Sequence, residues 1–157
     1  MNCHFSSQLL DEHGHWRNQR AQKNSVADIS TTGGQMARVL GLGLASKLYR
    51  HNPNLSYLQY FSQQGNEVVF CTIGNAATSE GVFWETLNAL GVKQVPVVVS
   101  IWDDGYGISV PNEVQTTKGD ISEALRGMQR EPDSNGVEIF KVRGWDYPAL
   151  CEVYERA

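Results

Sequence analysis

The sequence predicts an α/β fold built on a doubly wound parallel sheet. Two short runs rich in β-branched and other apolar residues, 67–73 and 95–102, are typical of strands that are buried on both faces. A helical pattern separates these runs, and an alternating run at 137–142 precedes a helix that is predicted to begin at Asp146. Strands that alternate with helices in this way favour parallel pairing through right-handed crossovers.

A long helix is predicted ahead of the first strand. Apolar residues recur every four positions from Met36 to Leu48, and further apolar residues on its other sides predict that this helix is buried on most faces. Gly41 and Gly43 each lower helix propensity by roughly 1 kcal/mol relative to alanine. We therefore expect another segment of backbone to approach the helix closely at both glycines.

Two further helices have recognisable start signals. Thr78 or Ser79 is predicted to cap a helix that Gly91 ends. Asp120 and Glu123 have the spacing of a capping box, in which each side chain bonds backbone amides at the start of a helix, and this helix is expected to run to about residue 130.

The charge and cysteine content exclude several functional classes. A net charge of −4, from 13 basic and 17 acidic residues, argues against a general nucleic-acid binder, since no basic surplus exists to neutralise phosphates. No apolar run reaches the roughly 18 residues needed to span a bilayer. The three cysteines lie far apart in the sequence and form no CxxC pair, so we expect a reducing, cytoplasmic setting.

The 157 residues are expected to form a single domain, with residues 1–30 as an irregular, polar lead-in segment. The sequence ends inside a predicted helix, without the glycine or asparagine that commonly stops one. We therefore expect this domain to be a truncated piece of a longer polypeptide, in which case a functional site within it would be only partly present.

Two polar loops follow the predicted strands, at the edge of the sheet where α/β proteins bind ligands. Asn75 lies in the first loop and Asp104 lies in the second, 29 residues later, which is about the length of one crossover. Their side-chain oxygens and the carbonyl oxygen of Tyr106 would suit Mg²⁺, which prefers oxygen ligands and binds phosphates. Asn and Asp are also ordinary turn residues, so on spacing alone a plain pair of loops remains the alternative.

Both loops resemble a known cofactor motif. The segments GNAATSEG (74–81) and DDGYGIS (103–109) are similar to the thiamine diphosphate motif in the alpha part of the decarboxylating component of 2-oxoacid dehydrogenase complexes. The amino-acid sequence of these segments is most similar to the branched-chain (2-oxoisovalerate) type, including forms in which the alpha and beta parts are fused. The resemblance covers nearly the whole chain and implies the thiamine diphosphate-binding fold.

The resemblance also implies a set of site residues. Asn75, Asp104 and the backbone carbonyl of Tyr106 match the family's metal ligands, which implies a Mg²⁺ site. No catalytic residue is implied within the chain, because the glutamate that activates the cofactor lies in the family's beta part. The cofactor-binding positions that the resemblance implies are Thr32, Gly33, Gly74, Asn75, Ala76, Ala77, Asp104, Tyr106 and Ile108.

Several positions depart from the family pattern. Asn75 stands where the family has a carboxylate and Asp104 stands where it has an amide, so one carboxylate and one amide remain, and we expect the metal site to survive. Ala76 replaces a glycine and would place a Cβ atom near the diphosphate. Trp102 stands where the branched-chain relatives have a basic residue that helps to hold the diphosphate.

The function that the resemblance implies is oxidative decarboxylation of a 2-oxo acid, with acyl transfer to a lipoyl group on an acyltransferase component. The cofactor would lie between this alpha part and a beta subunit or fused beta half, so we expect the chain alone not to turn over substrate. Two alternatives stay open, a transketolase-like or acetoin-type thiamine diphosphate enzyme and a non-catalytic assembly module of the same fold. His4 aligns near a histidine of the family and is interpreted as a surface or packing residue.

Overall fold

Two neighbouring parallel strands form the centre of the fold. The computed structural model describes residues 6–26 and 29–157. Strand β1 (Val69–Gly74) pairs with strand β2 (Val97–Trp102), with Val69 opposite Val97 and Gly74 opposite Trp102. Each strand begins two residues later than predicted, and the ladder starts where the amide of Val69 donates to the carbonyl of Pro96 (3.0 Å). The prediction of adjacent parallel strands is confirmed.

Helix α1 (Met36–His51) and helix α2 (Gly81–Lys93) pack together beside the strands. Cys71 is buried among these elements, and its burial raises the pKa of the thiol. No helix in residues 6–26 or 29–157 combines the length and the apolar character needed to cross a membrane. The buried hydrophobic core consists of Met36, Val39, Cys71, Ile73, Phe83, Leu87, Leu90, Ile121 and Leu125.

The buried face of α1 differs from the predicted one. Leu48 is 49% exposed, whereas Ser46 is buried and its hydroxyl donates to the carbonyl of Gly65 (3.1 Å). The buried positions run from Met36 to Gly43 at helical spacing and continue to Ser46. The prediction that α1 is buried on most faces is therefore wrong, because only one face meets the strands and the segment around Gly65.

The ends of α2 also differ from the prediction. Thr78 is buried in a short 3₁₀ helix (Ala76–Ser79), and its hydroxyl bonds the carbonyl of Asn75 instead of capping α2. Glu80 precedes α2 without a side-chain cap. Gly91 does not end the helix; α2 continues to Lys93, and Gln94 closes it in the left-handed conformation (φ 50°).

The second half of the chain contains short elements and one longer helix. Asp120 accepts hydrogen bonds from the amides of Ser122 (2.8 Å) and Glu123 (3.3 Å), which confirms the predicted cap, although the helix is a single turn that a 3₁₀ turn (Arg126–Met128) extends. Asp146 caps the last helix as predicted. These elements are β3 (Tyr106–Gly107), β4 (Val110–Pro111), α3 (Asn112–Gln115), α4 (Ile121–Ala124) and α5 (Tyr147–Arg156).

Helix α5 contacts side chains that point away from the core. The ring of Tyr154 packs edge-on against Phe70 of β1 (centroids 5.4 Å apart), and its hydroxyl lies 2.8 Å from the Ser100 hydroxyl of β2. Phe70 alternates along its strand with the buried Cys71, so it belongs to the opposite face. Helices therefore contact both faces of the paired strands, as an α/β fold predicts.

Residues 137–142 do not form the predicted third strand. Their pairing is limited to one isolated bridge, between Gln129 and Val137. Along β2, residues whose backbone groups bond β1 alternate with residues whose backbone groups face away from β1. The backbone groups of Val99 and Ile101 face away from β1, toward a cleft that has residues 137–142 on its far side. The prediction is wrong because, in the described part of the chain, no segment occupies this cleft to supply the missing hydrogen bonds.

Residues 6–26 are irregular, as predicted for the lead-in segment. They contain one 3₁₀ turn (Gln19–Ala21) and rest on residues 57–61, where the amide of Gln19 donates to the carbonyl of Tyr60 (2.8 Å). The Trp16 ring packs edge-on against Phe61 at 5.1 Å. His4 lies outside the described residues.

Asp120 joins residues 137–142 to α4. Its carboxylate caps α4 and forms an ion pair with Lys141, and the hydrogen bond from Lys141, followed by that from Ser122, holds the pKa of Asp120 well below its usual range. We expect Asp120→Ala to lower the free energy of unfolding at neutral pH by about 1 kcal/mol, the usual effect of losing a cap. Urea denaturation at several pH values measures this difference.

The effect of Asp120→Ala should depend on pH in a defined direction. A carboxyl group whose pKa is lowered by folding stabilises the folded state above its unfolded pKa, 3.8, and loses that contribution as the pH falls through the folded value. The difference between the two proteins should therefore shrink below about pH 4. Asp133→Ala, in an exposed turn, is the control and should match the unsubstituted protein throughout. A difference that persists unchanged in acid would contradict the assigned ion pair.

Candidate functional site

The loops that follow β1 and β2 lie side by side at one edge of the paired strands. Gly74 and Trp102 end the two strands as Cα partners, and the amide of Asn75 then donates to the carbonyl of Trp102 (3.1 Å). The polar residues 75–79 and 103–106 therefore leave the sheet at the same carboxyl edge, which is where α/β folds bind ligands. The structure thus brings the two sequence-predicted loops together.

Asn75 presents a carbonyl oxygen to this edge. The residue is 4% exposed, and its Nδ2 donates to Oδ1 of Asn112 at 2.7 Å. Its own Oδ1 has no hydrogen-bond partner among the described residues. Asn75 also lines the cavity at this edge, and its Oδ1 is not among the fully buried, unpaired side-chain atoms of the described part. The amide oxygen of Asn75 is therefore open to a ligand.

Asp104 and Tyr106 supply two further oxygens. The amide of Tyr106 donates to Oδ1 of Asp104 (3.1 Å), and both residues are exposed. In the hairpin of β3 and β4, Tyr106 lies opposite Pro111, while the neighbouring pairs carry the interstrand bonds, such as that from the amide of Asn112 to the carbonyl of Gly105 (3.0 Å). The carbonyl of Tyr106 therefore points away from β4.

A single cavity of about 1410 Å³ joins these groups. It extends from the loops along the open edge of β2 to residues 137–142, which accounts for its size. Eight of the nine predicted cofactor-binding residues line it: Thr32, Gly74, Asn75, Ala76, Ala77, Asp104, Tyr106 and Ile108.

Gly33 is the predicted residue that does not line the cavity. It is buried in the left-handed conformation (φ 69°), and an added Cβ would lie 3.2 Å from the Val82 side chain. Its carbonyl accepts from the amide of Met36 at the start of α1 (3.0 Å). The structure gives Gly33 a role in the turn that packs α1 against α2.

Ala76 and Trp102, which depart from the family pattern near the loops, each have defined contacts in the structure. An added Cβ on Gly107 would lie 2.6 Å from Cβ of Ala76, so the Ala76 methyl packs against the hairpin. The Trp102 ring is 68% exposed, and its Nε1 donates to the Ser100 hydroxyl (3.1 Å). Trp102 therefore directs its donor along β2 and not toward the loops. Ile108 occupies the hairpin turn with φ 60° and is fully exposed.

Sequence reasoning missed Asn112 and Gln115. Asn112 is 8% exposed and contacts both loops, because its Nδ2 donates to Oδ1 of Asp103 (3.0 Å) while its Oδ1 accepts from Asn75 and from Nε2 of Gln115 (3.1 Å). These residues follow the hairpin in a segment without a periodic pattern. The available signal was that Asn112 and Gln115 are polar and directly follow a hairpin that brings the backbone back to the site.

The donor set fits a hard cation better than a soft one. The open Oδ1 of Asn75, the Asp104 carboxylate and the Tyr106 carbonyl are oxygen donors, which Mg²⁺ prefers. Within residues 6–26 and 29–157 there is no cluster of three or more His, Cys, Asp or Glu side chains. The residues present therefore fit a Mg²⁺ ion that also binds phosphate oxygens.

Comparison with known proteins gives a consistent family. The family model described as "Dehydrogenase E1 component" matches residues 1–157. The chain is 29% identical over 96 residues to the pyruvate dehydrogenase E1 component subunit alpha of Staphylococcus epidermidis, covering 59% of this chain and 24% of that protein. It is 28% identical over 74 residues to the protein of the same name from Mycoplasma genitalium, covering 47% and 20%. The matched region thus spans about a quarter or less of these relatives.

Proposed function

Because the chain belongs to the dehydrogenase E1 component family, we propose that it carries the Mg²⁺ and diphosphate half-site of a thiamine diphosphate-dependent 2-oxo acid dehydrogenase. The observation that carries the proposal is the juxtaposition of the loops of Asn75 and Asp104, with three oxygen donors open to one cavity. The relatives named as pyruvate dehydrogenase E1 alpha subunits support the same class of reaction.

The proposal divides the site into residues that would bind Mg²⁺ and backbone amides that would bind the diphosphate. Oδ1 of Asn75, the Asp104 carboxylate and the Tyr106 carbonyl would bind Mg²⁺, and the ion would neutralise the diphosphate. The amide of Thr78 bonds the carbonyl of Asn75 (3.1 Å), whereas the amides of Ala76 and Ala77, at the start of the 3₁₀ helix, would approach the diphosphate oxygens. When bound, the cofactor would supply a carbanion that adds to the keto carbon of the 2-oxo acid and permits loss of CO₂, so the chain's own part would be to bind and orient the cofactor.

The remaining groups would come from partners. We propose a beta subunit or a fused beta half that completes the cofactor site, and an acyltransferase component whose lipoyl group receives the acyl product. The cavity supports this, because it is wide and open along β2, and a site for a cofactor normally encloses most of its ligand.

A branched-chain 2-oxo acid is the substrate class that we propose. Its support is the similarity of residues 74–81 and 103–109 to the branched-chain type. The relatives named for pyruvate make pyruvate the alternative. Comparing kcat/KM for 3-methyl-2-oxobutanoate and pyruvate, with the assembled protein, separates the two.

Titration calorimetry followed by acyl transfer tests the proposal. The complete protein, assembled with its beta part, should bind thiamine diphosphate in the presence of Mg²⁺ and lose that binding in EDTA. With a 2-oxo acid it should then acylate a lipoyl domain. Binding without transfer to the lipoyl domain favours a transketolase-like or acetoin-type enzyme. Absence of cofactor binding favours a non-catalytic assembly module and contradicts the proposal.

A further inference from the structure

Three polar side chains form a continuous hydrogen-bonded chain behind the proposed metal site. Oδ1 of Asp103 accepts from Nδ2 of Asn112 at 3.0 Å, and Oδ1 of Asn112 accepts from Nδ2 of Asn75 at 2.7 Å. Asn75 and Asn112 are nearly completely buried, at 4% and 8% exposure. Gln115 donates a second hydrogen bond to Oδ1 of Asn112. The chain connects the loops after β1 and β2 through α3.

The carboxylate of Asp103 determines the direction of every bond in this chain. An ionised carboxylate only accepts hydrogen bonds, whereas an amide has one donating and one accepting end. Asn112 must therefore turn its NH₂ group to Asp103 and its oxygen to Asn75. Asn75 must then turn its own NH₂ group to Asn112, which leaves its oxygen facing the cavity. Reversing either buried amide would bring two oxygens, or two NH₂ groups, together.

We propose that Asp103, acting through Asn112, is a positioning residue that holds the Asn75 amide with its oxygen toward the bound cation. This inference rests on the proposed function, because it assumes a cation at Oδ1 of Asn75. A carboxylate at position 75 would present an oxygen in either orientation of its head group. An amide presents either a ligand or an NH₂ group that repels the ion, so an amide ligand needs its orientation fixed.

The hydrogen-bonded chain of side chains also explains why two adjacent acidic residues, Asp103 and Asp104, follow β2. Asp103 Oδ1 accepts from Asn112 and from the amide of Gly105 (2.9 Å), so it is engaged on the inner side of the loop. Asp104 Oδ1 accepts only the amide of Tyr106, and its remaining oxygen has no partner in the described chain. Asp103 thus orients the amide ligand, while Asp104 supplies the charged ligand.

Mn²⁺ affinity, measured by electron paramagnetic resonance with thiamine diphosphate present, tests this inference in the assembled protein. Asn112→Leu keeps the charge and the branched shape of the side chain but removes the amide, and it should lower Mn²⁺ affinity about 10–100-fold, as changes behind metal ligands commonly do. Asp103→Ala should lower it further than Asp103→Asn does, because alanine removes the acceptor that orients Asn112, whereas asparagine loses the same charge but keeps an oxygen that the Gly105 amide orients (2.9 Å). Glu113→Gln removes a neighbouring exposed charge that does not line the cavity, and it should leave the affinity within about twofold.

Repeating the substitution in the Asn75→Asp variant separates an effect on the orientation of residue 75 from a general loss of structure at the site. In Asn75→Asp, either carboxylate oxygen can bind the ion, and one of them faces Oδ1 of Asn112 unfavourably. Adding Asn112→Leu to Asn75→Asp should therefore leave Mn²⁺ affinity unchanged or raise it. An equal loss in both backgrounds would overturn the inference while the proposed function stands. Should Asn112→Leu fail to fold, Asn112→Ala in the two backgrounds gives the same comparison without a change of charge. Absence of Mn²⁺ binding to the unsubstituted protein overturns both the proposed function and the inference.

Discussion

Replacing Asp104 by alanine should abolish Mg²⁺-dependent binding of thiamine diphosphate. Asp104 is the one charged side chain among the three proposed ligands, since Asn75 supplies an amide and Tyr106 a backbone carbonyl. Without this carboxylate, the divalent ion would have only two neutral protein ligands, the amide oxygen of Asn75 and the carbonyl oxygen of Tyr106, beside the diphosphate. Changes behind a metal ligand commonly lower affinity about 10–100-fold, so removal of the charged ligand itself should exceed that. Calorimetric titration of the assembled protein with the cofactor measures it.

Asp104→Asn separates the ligand from the turn. Asn at this position still has an oxygen that can accept the hydrogen bond from the Tyr106 amide (3.1 Å), so the loop should keep its conformation while the charge is lost. We expect weakened binding that higher Mg²⁺ concentrations partly restore. Asp133→Ala, in the exposed turn after α4, serves as the charge control and should bind as the unsubstituted protein does. Unchanged cofactor binding in Asp104→Ala would show that the ligand assignment is wrong.

The position of the site followed from the sequence because strand signals and loop positions are local. The apolar runs at 67–73 and 95–102 predicted neighbouring parallel strands, and parallel pairing necessarily brings Asn75 and Asp103 to one edge. The lining of the cavity by Asn75, Asp104 and Tyr106 follows from that pairing. Their proposed roles as ligands remain predictions, which the Asp104 variants test.

The parts that the sequence did not predict depend on tertiary contacts. Asn112 is 37 residues from Asn75, and no local pattern distinguishes a buried bridging amide from a surface one. The run 137–142 has the alternation of a strand, but a strand also requires a neighbour with free backbone groups, and the described chain leaves a cleft beside β2. Gly33 was placed in the site by the family resemblance, and in the structure its carbonyl bonds the start of α1.

Gly43→Val should lower the free energy of unfolding by about 2–3 kcal/mol, whereas Gly41→Val should change it by less than about 0.5 kcal/mol. The sequence predicted that another backbone segment approaches both glycines, whereas the structure shows a close approach at Gly43 alone, and by the side chains of Val95 and Val97. A Cβ atom there would lie 2.6 Å from Cγ2 of Val97 and 3.1 Å from Cγ2 of Val95. No heavy atom lies within 4 Å of the same atom on Gly41, which is exposed.

The size of this difference follows from the stiffness of the neighbours. Valine side chains have few allowed rotamers, so Val95 and Val97 cannot swing away, and α1 would have to move off β2. Glycine and valine differ by only a few tenths of a kcal/mol in helix propensity, so the same substitution at both positions isolates packing from propensity. Urea denaturation followed by circular dichroism at 222 nm measures both variants. Equal stabilities would mean that α1 does not rest on the amino end of β2 at Gly43.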